Sequence, residues 1–391
     1  MIWPKVKLGD IVDIKGGGTP SKSNPDFWGG DIPWASVKDF KTSSLKETAD
    51  YITELGVEKS ATNVIPAGNV IVPTRMALGK VAINEVDIAI NQDLKALLVK
   101  DEKTLSKLYL MRFLESKSAF IDEQGKGATV KGITLDVLRN LDVPLPRLSE
   151  QKRIAAILDK ADAIRRKRQQ AIQLADEFLR AVFLDMFGDP VTNPKGFPLG
   201  TIRDLVESAN YGSSAKASEA VGDYPILRMG NITYEGAIDM TDLKYIDLTD
   251  KEKPKYLAVK GDLLFNRTNS KELVGKTAVY DRDDPVAIAG YLIRVRTNEK
   301  GNSHYISGYL NSSHGKATLQ NMCKSIVGMA NINAQEMQDI PVIIPPVRLQ
   351  NRYGGIVVST KEKLEAHQAA LNANNELFNA LSQKAFSGQL S

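Results

Sequence analysis

The 391 residues carry 51 Lys and Arg against 47 Asp and Glu, a formal net charge of +4, with 42% hydrophobic and 25% charged residues. That is the composition of a folded globular chain of two or three domains, with only a slight bias toward a polyanionic partner. One cysteine, Cys323, excludes an internal disulfide framework and a Cys-rich zinc site. The opening Met1-Ile2-Trp3-Pro4-Lys5 has no signal-peptide core and no apolar run could cross a bilayer, so a cytoplasmic protein with no membrane partner is expected.

Residues 1–145 read as a first globular unit. It opens with Val6-Lys7-Leu8-Gly9-Asp10-Ile11-Val12, followed by the Gly-rich loop Lys15-Gly16-Gly17-Gly18-Thr19-Pro20-Ser21 and then Trp28-Gly29-Gly30-Asp31-Ile32-Pro33-Trp34. Apolar, largely β-branched runs at 70–72, 81–83 and 97–99, divided by Gly and Pro, predict strands. The pattern at 104–118 predicts a helix and 125–132 a loop.

Residues 146–190 hold a long helix. From Ile154 to Met186 apolar residues recur at steps of three and four, placing them on one face. Ser149 is in position to cap it, Pro144 and Pro146 lie outside, and Gly188 followed by Pro190 ends it. Its expected length is about 57 Å, too long for one compact domain, so its apolar stripe needs a partner. The partner lies 199 positions on. Gln151 aligns with Gln350, Arg153 with Arg352, Ile157 with Ile356, Gln169 with Gln368, Glu177 with Glu376 and Phe187 with Phe386, without a gap. Apolar positions seven apart predict a coiled-coil seam built from Ile157, Leu158, Ile164, Ile172, Phe178 and Leu179 on one helix and Val357, Leu364, Leu371 and Phe378 on the other.

Residues 191–344 repeat the grammar of 1–145. Gly261-Asp262-Leu263-Leu264 answers Gly68-Asn69-Val70-Ile71, Val274-Gly275-Lys276 answers Leu78-Gly79-Lys80, and the helix at 305–310 answers 109–114. Residues 345–391 hold the second long helix. Because Gly354-Gly355 replace Ala155-Ala156, at about 1 kcal/mol each, this helix is expected to begin later than the first. His367 and Asn374 fall near its seam, either fixing register or facing solvent. The fold class is therefore α+β: two similar, mainly β domains with short helices, an internal duplication, and two long helices packed antiparallel. The halves differ in their expected surface loops, 16–23 against 211–218 and 73–78 against 266–274. Different loops on one scaffold read different things.

Chemistry-bearing motifs are sparse. Gly275-Lys276-Thr277 lacks the earlier glycine of a phosphate-binding loop, since that position is Ser270, so a strand turn is expected. Gly16-Gly17-Gly18 is either an ordinary turn or a loop letting backbone approach phosphate. Asp93-Leu94-Lys95 and Asp242-Leu243-Lys244 resemble nuclease fragments of a kind common by chance. The three histidines, His304, His314 and His367, form no catalytic or metal-ligand pattern.

At Gly17-Gly18-Thr19-Pro20-Ser21, Trp28 through Trp34, Pro144-Leu145-Pro146 with Glu150-Gln151-Lys152-Arg153-Ile154, Gly261-Asp262-Leu263-Leu264, Gly275-Lys276-Thr277-Ala278 and Ile344-Pro345-Pro346 with Gln350, the chain resembles the specificity subunit of a type I restriction-modification system. The resemblance spans nearly the whole chain. It implies two target-recognition domains, each reading one half of a bipartite asymmetric double-stranded DNA target, with the two helices setting the spacing. It further implies two docked methyltransferase subunits and motor-nuclease subunits in the full complex. S-adenosylmethionine, ATP and Mg would then sit on those partners, with no catalysis, cofactor or metal in this chain. Half-sites about 34 Å apart, or a multiple, suit a rigid spacer of this length.

Basic and polar residues of the divergent loops are the candidate DNA contacts, each weighed against a solvated surface role. They are Lys15, Thr19, Ser21, Lys22, Ser36, Lys38, Arg75, Lys80 and Lys131 in the first domain. In the second they are Ser213, Ser214, Lys216, Arg228, Asn231, Arg267, Asn269, Lys271 and Lys276. Arg suits guanine, Asn suits adenine and Lys suits phosphate; Tyr211 and Trp28 are candidates to pack on sugar or base. Arg165-Arg166-Lys167-Arg168 is a solvated helix face or a phosphate or acidic-partner site. Two other readings remain open: a free-standing nuclease or methyltransferase, and a helical scaffold that never touches DNA.

Overall fold

The computed structural model describes residues 3–127, 129–322, 324–326 and 329–390. Cys323, Met1-Ile2 of the opening segment and Ala128 of the 125–132 loop lie outside them. The chain divides into two compact units, 1–168 with 369–391 and 169–368. The division crosses both long helices, so each unit takes one part of each helix.

In the first unit a five-stranded sheet runs in the order Val12–Gly16, Leu94–Val99, Val70–Pro73, Ala82–Asn84, Ser44–Leu45. A second, four-stranded sheet runs Asp50–Ile52, Trp28–Ala35, Ile88–Ile90, Asn63–Ile65. The run at 70–73 is apolar throughout because both its faces are covered. Val70 and Val72 enter a core with the helix Lys107–Ser116 and the long helix, whereas Ile71 enters a core facing the second sheet. Alternation along a strand thus places successive residues in two different cores.

The second unit rebuilds this layering. Its sheets run Val206–Tyr211, Leu292–Thr297, Leu263–Asn266, Thr277–Val279 and Lys244–Ile246, Tyr224–Leu227, Val286–Ile288, Leu257–Ala258. Leu263 and Phe265 face the helix layer while Leu264 faces the other sheet. Each unit also pairs its opening strand antiparallel with the strand before its long helix: Lys5–Lys7 with Asp142–Pro144, and Leu199–Thr201 with Pro341–Ile343. The helix expected over 104–118 is divided into Lys107–Ser116 and Ser118–Glu123.

The long helices are Leu148–Phe187 and Val347–Phe386, 40 residues each. Ser149 lies inside the first turn rather than at the cap. Contrary to expectation, the second helix starts at the position equivalent to the first. The reason is a buried glutamine near each start. Gln151 accepts from the Ser106 amide (2.9 Å) and donates to the Thr104 and Pro146 carbonyls (2.8 and 2.9 Å). Gln350 accepts from the Asn302 amide (3.0 Å) and donates to the Lys300 and Pro345 carbonyls (3.0 and 2.8 Å). Tertiary clamping of this kind overrides weak glycine propensity. Gly354 also has a packing reason, since a Cβ there would lie 3.1 Å from the Asn302 side chain.

Antiparallel packing is visible inside each unit. In the first, Ile154 and Leu158 share a core with Phe378 and Ala385, and Arg165 lies 4.3 Å over the Phe378 ring. In the second, Phe183 and Phe187 pack on Tyr353, both at 5.5 Å between ring centres. Of the expected seam residues, Leu158, Val357 and Phe378 are buried, and Ile157, Ile172, Leu179, Leu364 and Leu371 are half-buried. Ile164 and Phe178 are not in the seam: they stand 44% and 51% exposed. Each stands one residue before the buried to half-buried register Leu158, Arg165, Ile172 and Leu179, about 100° around the helix, which is why these two were misplaced.

Candidate nucleic-acid interface

At one end of the second unit's sheets, four loops converge: 212–219 after strand Val206–Tyr211, 228–242 after Tyr224–Leu227, 267–276 after Leu263–Asn266, and 289–291 before Leu292–Thr297. Between them lies a cleft of about 1410 Å³. Ser213, Ser214, Lys216, Arg228, Asn231, Arg267, Asn269 and Lys276 all line it; Lys271 is exposed on the third loop but outside the cleft wall.

The loops are held by their own polar groups. Asn231 is buried; its Oδ1 accepts from the Arg228 amide (2.8 Å) and its Nδ2 donates to the Asp239 and Asp242 carbonyls (3.0 and 2.9 Å). Ser213 is also buried, its Oγ accepting from the Ala215 amide (3.2 Å). These two side chains hold the loops that form the cleft. Arg228 donates through Nη2 to the Asp242 carboxylate (2.8 Å), and Lys276 Nζ donates to the Met229 carbonyl (3.0 Å). Partial burial holds the Lys276 ammonium below its usual range. Asn269 Oδ1 accepts from the Ser270 amide. Tyr211 is held as a support: its Oη accepts from the Ala334 amide (3.0 Å) and its ring lies 4.7 Å from the Arg267 guanidinium. Ser214, Lys216 and Lys271 remain exposed and make no side-chain hydrogen bond among the described residues.

In the first unit the equivalent frame carries a different set. Lys15, Lys22 and Lys38 are exposed and unpaired among the described residues. Thr19 donates to Gln92 Oε1, and the Ser21 carbonyl accepts from Trp28 Nε1 (3.1 Å). Trp28 in turn packs edge-on to Trp34 at 5.2 Å, so it belongs to the fold. Ser36 is a cap: its amide and hydroxyl both donate to Asp39. Arg75 stands 3.8 Å from the buried Asp93, Lys131 is 2.7 Å from Asp122, and Lys80 donates to the Phe40 carbonyl (2.9 Å).

The Gly-rich stretch is a close crossing of loop over sheet. A Cβ at Gly17 would lie 1.9 Å from the Ile90 carbonyl oxygen, and one at Gly212 would lie 2.3 Å from that of Ile288. Both halves therefore require glycine where the loop passes over its sheet. Gly275 (φ +80°) is the left-handed turn before strand Thr277–Val279, as the failed phosphate-loop spacing predicts. Asp93 and Asp242 serve as partners of Asn91 and Arg228. Sequence reasoning missed Lys244, Glu219 and Asp239 as cleft residues; Lys244 and Glu219 form an ion pair at 2.5 Å, and nothing in their local sequence marks them. Among the described residues no group of His, Cys, Asp and Glu could hold a metal ion, and no helix is long and apolar enough to cross a membrane.

The sequence pattern of the family described as the type I restriction modification DNA specificity domain matches residues 2–174 and again 194–372. The chain belongs to this family. The doubled match falls on the doubled frame just described. Among curated relatives, the chain is 23% identical over 411 residues to the type I restriction enzyme MjaIX specificity subunit of Methanocaldococcus jannaschii, covering 99% of this chain and 93% of that one. It is 38% identical over 164 residues to the EcoR124I/EcoR124II specificity subunit of Escherichia coli, covering 40% of each. In fold it is similar to a type I restriction-modification system S subunit from M. genitalium, with a TM-score of 0.63, 16% identity and 98% and 96% coverage. The chain is thus a DNA-recognition subunit of the type I restriction-modification class, and members of that class are specificity subunits rather than enzymes in their own right.

Proposed function

We propose that each half of the chain reads one part of a bipartite, asymmetric DNA target, the first through the loops around Lys15, Lys22 and Lys38 and the second through the cleft at Arg267. The observation that carries this reading is one buried frame built twice, with the same glycine crossing and the same glutamine clamp, under loops whose polar residues differ. Exposed lysines suit phosphate contacts, which position a protein on DNA without selecting sequence.

The long helices, 40 residues each and so about 60 Å long, are the spacer between the half-sites. Ile164, Leu174, Phe178, Leu184 and Leu377 are exposed on them at 44–54%, which supports docking of partner subunits there. Two methyltransferase subunits flanking the duplex, joined by motor-nuclease subunits in the cytoplasm, complete the assembly. S-adenosylmethionine, ATP and Mg belong to those partners, because methylating a base within a duplex requires flipping it into a dedicated catalytic pocket.

The test is sequencing that detects methylated adenine in cells expressing this chain with its neighbouring methyltransferase gene. Methylated adenines confined to one gapped asymmetric motif are expected. Absence of any chain-dependent gapped motif overturns the reading.

A further inference from the structure

We propose that Arg267 selects a guanine in the half-site read by the second unit; this rests on the DNA-recognition reading above. Five cations line the cleft: Lys216, Arg228, Lys244, Arg267 and Lys276. Three are already committed, Arg228 to Asp242 (2.8 Å), Lys244 to Glu219 (2.5 Å) and Lys276 to the Met229 carbonyl (3.0 Å). Lys216 is exposed on a flexible stem, which suits a point-charge contact to phosphate.

Arg267 differs from all of these because its guanidinium is oriented while its terminal nitrogens stay available. The guanidinium carbon lies over the Tyr211 ring, 4.7 Å from its centre, and Nε donates to Asn331 Oδ1 (3.3 Å). Its backbone is pinned on both sides, the amide donating to the Tyr291 carbonyl (3.0 Å) and the carbonyl accepting from the Ile332 amide (2.9 Å). Tyr211 is itself fixed through the Ala334 amide. Among the described residues the two Nη groups make no hydrogen bond. A guanidinium held over an aromatic ring with Nε occupied keeps its Nη donors as a pre-positioned fork, which matches the O6 and N7 acceptors of guanine in the major groove. Holding it in place beforehand removes much of the ordering cost of binding.

The first unit shows that this is a property of one half. Thr74 occupies the position equivalent to Arg267, with its amide donating to the Asp93 carbonyl (2.7 Å) and its carbonyl accepting from the Ile133 amide (2.9 Å). The backbone hydrogen bonds are the same, and the side chain lacks the fork. Tyr211 and Asn331 are positioning residues.

The experiment uses the full chain with its methyltransferase partner and maps methylated adenines genome-wide. Grafting residues 197–344 from another such protein first identifies the half-motif read by the second unit. Arg267→Ala is then expected to relax one G·C position within that half, with discrimination falling roughly 5- to 150-fold there, and to leave the other half unchanged. Arg267→Lys should relax the same position, since a flexible ammonium lacks the planar fork that Tyr211 and Asn331 hold in place. Tyr211→Leu should relax it partially. A wild-type half-motif without a G·C pair, or unchanged discrimination in Arg267→Lys, overturns the inference. So does a uniform loss of methylation at all matched and mismatched sites, which marks a phosphate contact. Should Arg267→Ala abolish methylation altogether, the Arg267→Lys motif decides. A failed graft, with no half-motif moving, counts against the DNA-recognition reading itself and is separable from the Arg267 result.

Discussion

In the first unit the helix Lys107–Ser116 meets the long helix through Arg112, 3% exposed, whose guanidinium reaches Glu115 (2.7 Å), Asp159 (2.6 Å) and Asp162 (3.3 Å). In the second unit the equivalent helix, Ser303–Asn311, carries Gly308 at that position, and the space is taken by Tyr353 and Phe183, whose rings cross at 5.5 Å. Around each joint the hydrogen bonds that set the backbone are the same. Tyr109 Oη donates to the Pro144 carbonyl (2.8 Å) and Tyr305 Oη to that of Ile343 (2.6 Å), beside the paired glutamine clamps. The difference teaches that backbone clamps preserve the frame while the joint's filling is free to change, so long as each version is complete. A buried charge cluster with every partner present and a close-packed aromatic cluster are interchangeable solutions; a half-converted joint is not.

The largest effect should follow from breaking the ionic joint. Arg112→Ala takes the cation from Glu115 and Asp159 and leaves Asp162 to Arg165 and Arg166 (both 3.3 Å), and should cost about 3 kcal/mol. Burial already holds the Glu115 carboxyl above its usual range, so removing its cation raises it further. Urea unfolding reads the loss, and hydrogen exchange should localise it to Lys107–Ser116 while Ser303–Asn311 stays protected. Gly308→Leu attacks the aromatic joint. Even its Cβ would fall 2.8 Å from Tyr353 Oη and 3.0 Å from Phe183, so a cost of about 3 kcal/mol is expected, localised to the second unit.

Gln151→Ala and Gln350→Ala sharpen the comparison by asking whether the shared clamp carries equal weight. Each removes one accepted and two donated hydrogen bonds, and each should cost about 2 kcal/mol. Unequal losses would show that the frame is not maintained alike in both halves.

The smallest effect concerns pH. His304 is pushed down to about 4, first by burial and then by Lys361 beside it. A histidine kept neutral in the fold but free to protonate when unfolded contributes stability present above pH 6.5 and lost as pH falls toward 4. Between pH 7 and 5.5 the second unit should lose about 1 kcal/mol, and His304→Gln should remove that dependence.

Much of the frame was legible in the sequence. The gapless match from Gln151 to Phe187 against Gln350 to Phe386 marked both helices, because helical periodicity is a local property. Glycine spacing marked the turns. The late start expected for the second helix was wrong because Gln350 is clamped by the Asn302 amide and the Lys300 and Pro345 carbonyls, a tertiary fact with no local signal. At the site, basic residues in divergent loops marked the cleft, since eight of the nine second-unit candidates line it. Their roles were not legible. Whether Asn231 or Arg267 faces outward depends on Asp242, Tyr211 and Asn331, which are distant in sequence and adjacent only in the fold.

The central claim is that each unit reads its own half of one target. The most direct measurement replaces residues 197–344 with the equivalent segment of another family member and maps methylated adenines before and after. One half of the gapped motif should change while the other half and the gap stay as they were. A motif that changes in both halves, or in neither, would contradict the account.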